Sequence, residues 1–146
     1  MKLVLDASAA LSWFFKDQRV ERSVRALRYT AENGALVPPL WSIEGAHVRV
    51  KYERRGFLTQ TRSAKICDYL RGLPITVDTP SEEPIFSTLS YARTYQIPAY
   101  DAAYLDLPVR FGLRLATLDD RLEAAARSLG ALWVPRKLSR RSSSTN

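Results

Sequence analysis

The sequence predicts an α/β fold with a short, mostly parallel sheet of four to five strands. Three observations predict it. Apolar runs too brief for helices recur at Lys2–Leu5, Ala35–Val37, Ile75–Val77, Arg114–Thr117 and Leu132–Val134. The longer segments between them carry apolar residues three and four apart, the period of a helix with one buried face. Strand and helix alternate along the chain, as expected of a sheet whose parallel strands need crossover connections. At 146 residues the chain is one domain's length, enough to bury about 68–70% of its unfolded surface.

Lys2–Leu5 stops at Asp6, and Ser8 leads into a first helix over Ala9–Phe15. A second helix, Val20–Ala31, places Val20, Val24, Leu27 and Ala31 on one face and ends at Asn33-Gly34. After Ala35–Val37, Pro38-Pro39 precedes a helix from about Trp41 to Arg54, with Glu44 in or just beyond its first turn. Thr59 caps the next helix, which runs to about Arg71 before Gly72. Ser81 opens a capping-box pattern for a helix to about Tyr95. The helix from Asp101 stops at Gly112, with Pro108 inside it expected to remove one backbone bond and kink it. Leu122–Leu129 is the last helix, ended by Gly130. Residues 1–135 are read as the folded domain and 136–146, basic and Ser-rich, as a flexible tail.

The chain has 22 Lys and Arg against 15 Asp and Glu, a net charge of +7, which suits a polyanionic partner such as nucleic acid. One cysteine, Cys67, excludes a disulfide framework and reads as a small buried residue. No basic lead with a long apolar run follows Met1, and no run of eighteen apolar residues occurs. A cytoplasmic location without a membrane span is expected.

The chemistry gathers on acids. About eleven helical residues from Asp101 climb about 16 Å, and the strand after Gly112 returns about as far, which brings Asp119 back beside Asp101. Asp101 alone reads equally well as a helix cap. Asp6 ends the first strand and Glu44 begins the helix after the second, so all four acids can share the carboxyl edge of the sheet, where α/β folds bind ligands. Two carboxylates about 4 Å apart repel by roughly 4 kcal/mol at an effective dielectric of 20, so such a cluster calls for protons or cations. An all-oxygen donor set selects Mg²⁺ or Mn²⁺ over Zn²⁺, and phosphodiester hydrolysis is the natural reaction.

The strand ending in LDAS, then PPLWSIEGA, YDAAYLDL and LATLDDRL, in a basic chain of this length, resembles the PIN domain, specifically the toxin ribonucleases of VapBC modules. The resemblance spans Met1 to about Val134. It implies a three-layer α/β/α sandwich and a Mg²⁺- or Mn²⁺-dependent endoribonuclease. It also implies a homodimer and a small VapB-type antitoxin that covers the acidic site, often with a basic side chain among the acids. It assigns catalysis and metal binding to Asp6, Glu44, Asp101 and Asp119, with Ser8 and Thr117 as supporting hydroxyls. Asp120 competes with Asp119, which the T-x-D pattern favours. His47 stands where many relatives have Asn, and either contacts RNA or metal-held water or is simply hydrogen-bonded. Pro108 stands where many have Ala.

Other residues read more plainly. Asp106 is expected in solvent, and Trp13, Phe14 and Phe15 in the core or at a dimer surface. Arg49, Lys51, Arg54 and Arg55 form a solvated basic face, which in a nuclease can also track phosphates. The alternative function is a catalytically silent PIN-like module that binds RNA or protein. One histidine does not supply the pair of groups needed for histidine-based RNA cleavage, and no G-x-x-x-x-G-K loop supports ATP binding.

Overall fold

A computed structural model describes residues 1–15, 20–80 and 85–136. Its described elements are, in order, β1 (Leu3–Leu5), α1 (Ala7–Ser12), α2 (Glu21–Asn33), β2 (Ala35–Val37), α3 (Leu40–Arg54), α4 (Gln60–Arg71), β3 (Ile75–Val77), α5 (Ile85–Tyr95), α6 (Ala99–Phe111), β4 (Leu115–Ala116) and α7 (Asp120–Ser128). The sheet order is β3-β2-β1-β4 and every pairing is parallel. The chain builds outward from β1 to β2 and β3, then crosses back through α5 and α6 to lay β4 on the other side of β1. The strand order therefore reverses between β1 and β4, a switch point that leaves a crevice beyond their carboxyl ends.

Leu3, Val4 and Leu5 are 0–1% exposed because β1 is covered on both faces. Alternation divides them. Val4 joins Leu115, Leu105, Leu107, Leu122 and Ala126 in a core under α6 and α7. Leu3 and Leu5 join Ala9, Ala10, Trp13, Ala26 and Val37 in a second core under α1 and α2. Two cores with a sheet between them make the three-layer α/β/α sandwich.

Several boundaries differ from the sequence expectation. The first helix begins at Ala7, because the Asp6 carboxylate accepts the Ala9 N–H and starts the helix at once. The expected fifth strand is a single bridge from Leu132 to Leu115. As expected, α6 runs through Pro108, whose ring is buried, to Phe111. Gly112 then takes a left-handed φ of 65° and closes the helix. Thr59 caps α4 by accepting the Arg62 N–H at 3.1 Å. The Ser81 capping pattern and, beyond Arg136, the basic tail lie outside the described residues.

Asp106 is a correction. Its side chain is 16% exposed and takes the Arg110 guanidinium at 2.7 Å, while the same nitrogen reaches Asp78 at 2.8 Å. A cation one helical turn away thus draws it out of solvent. Cys67 is another, since it is half-buried and its Sγ accepts from Arg49 at 2.7 Å. Arg49 thus lies apart from the exposed Lys51, Arg54 and Arg55. Trp13 is core, with its indole N–H on the Ser23 carbonyl at 2.7 Å. No helix among the described residues is long and apolar enough to cross a membrane.

Candidate active site

Asp6, Glu44, Asp101 and Asp119 line one cavity of about 850 Å³ at the switch point. Each comes from a different element. Asp6 follows β1 directly. Asp119 follows β4 through the extended Thr117 and Leu118, and caps α7 by accepting the Leu122 N–H at 2.8 Å. Glu44 stands one turn into α3, and Asp101 lies in the first turn of α6.

Asp6 is 4% exposed and surrounded by donors. The Ser8 hydroxyl lies 2.8 and 2.9 Å from its two oxygens, the Ala9 N–H reaches Oδ1 at 2.9 Å, and the Thr117 hydroxyl donates to Oδ2. Thr117 Oγ1 also accepts the Asp119 N–H at 3.0 Å, and Ser8 Oγ accepts the Leu118 N–H at 3.2 Å. The two hydroxyls therefore stitch the end of β1 to the end of β4. Burial pushes the Asp6 carboxyl up from 3.8 to about 6, against the pull of these bonds, and nearby Glu44 adds to the rise.

Like charges then run round the cavity. Glu44 is raised by burial and by Asp101, and Asp101 by burial and by Asp119. The Tyr104 hydroxyl donates to Glu44 Oε2 at 2.7 Å. Burial, and then that bond to Glu44, push the phenol upward, so it stays protonated and remains a donor.

Tyr104 is the site residue that sequence reasoning missed. The available signal was its position three residues after Asp101, on the same helix face. His47 is exposed and lines the cavity rim, whereas Asp120 is exposed and outside the lining. Asp119 is therefore the acid that faces the cavity.

The donor set fits a hard divalent cation in type, being carboxylate oxygens with hydroxyl support and no thiolate. Spacing is more open. Among the described residues no three His, Cys, Asp or Glu side chains stand close enough to share one ion. The arrangement concentrates negative charge in a partly apolar cavity, where cations are favoured and carboxylates compete for protons.

No family profile matches the chain. Ribonuclease VapC3 of Pyrobaculum aerophilum is 31% identical to it over 136 residues, covering 92% of this chain and 100% of the relative. The crystal structure of PAE2754 from Pyrobaculum aerophilum superposes with a TM-score of 0.65, at 19% identity, over 86% of this chain and 84% of that one, which speaks for the fold alone. With near-complete coverage of a curated relative above 30% identity, on this sandwich and with these acids at its switch point, the chain belongs to the VapC family of PIN-like proteins.

Proposed function

We propose that this chain is a metal-dependent endoribonuclease, the toxin of a toxin–antitoxin pair, that hydrolyses RNA phosphodiester bonds at the cavity of Asp6, Glu44, Asp101 and Asp119. The observation that carries the reading is the convergence of four carboxylates from four elements on one cavity, three of them raised by burial and like charge. Kinship with a protein named as a ribonuclease supports it.

These four acids would hold Mg²⁺ or Mn²⁺, which when bound supplies positive charge that acidifies water and neutralises phosphate oxygens. Ser8 and Thr117 orient Asp6 from behind, and Tyr104 orients Glu44. Leu40 and Val48 give the cavity an apolar wall beside the carboxylates. The reading extends to a homodimer and to a small VapB-type antitoxin with a basic side chain placed among the acids.

Cleavage of RNA by the purified chain, freed of any partner, tests it. Cutting is expected with Mg²⁺ or Mn²⁺, and neither with EDTA nor in Asp101→Asn. Full activity in EDTA, or in the variant, would overturn the acid site. The silent RNA- or protein-binding alternative is favoured by the open spacing of the acids. It predicts RNA binding without metal-dependent cutting.

A further inference from the structure

Helix α3 carries Glu44 at one end and a group of basic residues at the other. At about 100° per residue, Glu44, His47, Lys51, Arg54 and Arg55 fall within about 100° of arc, so they form one stripe along the helix. Glu53 lies on the opposite side. None of the residues of α3 is buried, and His47, Lys51, Arg54 and Arg55 are all exposed. His47 lines both the acid cavity and a second cleft of about 240 Å³ walled by Val50, Lys51, Arg54 and Arg55. The two depressions therefore meet at His47.

The charges of this stripe are available. Arg22, Arg25, Arg71, Arg110 and Arg127 all sit in ion pairs with Asp or Glu. Among the described residues Lys51, Arg54 and Arg55 make no ion pair. Arg49 is on the same helix but points elsewhere, to the Gly45 carbonyl and Cys67. Measured along the axis, Lys51 lies about 10 Å and Arg54 about 15 Å from Glu44. A strand with its scissile phosphate at the acids would meet these cations with phosphates further along.

We propose that His47, Lys51, Arg54 and Arg55 form a phosphate-binding track that holds the RNA strand on one side of the scissile bond and leads it into the acid cavity. The proposal rests on the ribonuclease reading above. The track reads backbone and not sequence, since exposed Lys and Arg charges meet phosphates whatever the base. It offsets the repulsion that four carboxylates exert on an incoming polyanion.

The test compares two charge-matched triple variants of the full chain. One is Lys51→Gln/Arg54→Gln/Arg55→Gln. The other is Arg28→Gln/Lys65→Gln/Arg93→Gln, at exposed positions on α2, α4 and α5. Binding of a fluorescein-labelled, mixed-sequence single-stranded RNA is followed across a salt series in EDTA, each triple being combined with Asp101→Asn to prevent cutting. With a slope of about 0.7 per phosphate contact on single strands, the stripe variant should lower the salt slope by about 2. The control variant should leave the slope within error. In the cleaving background the stripe variant should raise KM and hold kcat. Equal loss in both triples would show a general effect of net charge and overturn the track, as would an unchanged slope in the stripe variant. Metal-dependent cutting with an unchanged slope removes the track and leaves the ribonuclease. Absence of both binding and cutting in the unmodified chain removes both.

Discussion

The two sides of the acid site are built differently. On the sheet side Asp6, Ser8, Thr117 and Asp119 are joined by a closed set of hydrogen bonds between the ends of β1 and β4. On the helix side Glu44 and Asp101 rise from α3 and α6, half-buried, and among the described residues Asp101 has no side-chain hydrogen bond. Tyr104 is the group that reaches across to Glu44. The sheet side fixes position at the cost of burying a charge. The helix side, among the described residues, gives Glu44 one side-chain donor and Asp101 none.

The largest expected effect breaks both sides alike. Asp6→Asn and Glu44→Gln should each lower cleavage by at least about a thousandfold, since an ion held by carboxylates contributes several kcal/mol to the transition state. Stability separates them. A carboxyl held at about 6 instead of 3.8 costs about 3 kcal/mol once ionised, so Asp6→Asn should stabilise the metal-free fold at pH 7 by up to that amount. Glu44→Gln should gain less than about 1 kcal/mol because solvent reaches its carboxyl. Urea unfolding in EDTA measures the gap, and equal gains would erase the distinction.

The same burial sets a pH dependence. Between about pH 4 and 6 the native Asp6 holds a proton that the unfolded chain has released. Its contribution is therefore complete below pH 4 and is lost as pH rises through 6. Unfolding free energy without metal should fall across this window in the native sequence and fall less steeply in Asp6→Asn, where the raised Glu44 and Asp101 carboxyls still contribute. An unchanged profile would place the titration elsewhere.

Thr117→Val cuts the stitch while keeping the shape. Loss of a bond to a buried carboxylate should cost about 2 kcal/mol at pH 7 and raise the Asp6 carboxyl further, visible as a displaced pH midpoint. The smallest effect belongs to the helix side. Tyr104→Phe should slow cleavage about tenfold and change stability by less than about 1 kcal/mol, because Glu44 can turn to water for its lost donor. A stability loss as large as that of Thr117→Val would make Tyr104 a part of the framework instead.

Much of this was legible in residue order. The alternation of short apolar runs with helical periods predicted an α/β fold with a mostly parallel sheet, and the resemblance to the PIN domain added the three layers. Asp6 and Asp119 were legible since each comes at or shortly after the end of a strand. Asp106 was misread because spacing from Asp101 gave its angle around α6, whereas Arg110 and Asp78 decided its exposure. Leu132–Val134, read as a possible fifth strand, pairs only through the Leu132–Leu115 bridge, because the neighbouring β4 is just two residues long.

The sequence by itself determined which residue types stand at strand ends and helix starts, and so the fold class and the four acids. Local chemistry suffices there, because caps, periods and breaks act within a few residues. Tertiary structure alone decided what surrounds those acids: the buried Asp6 with donors from β4, the phenol on Glu44, and the meeting of the cavity with the basic stripe. These depend on groups brought together from distant positions, as with Thr117 on Asp6 and Tyr104 on Glu44. Burial and charge coupling are properties of such neighbours in space, and no spacing along the chain encodes them.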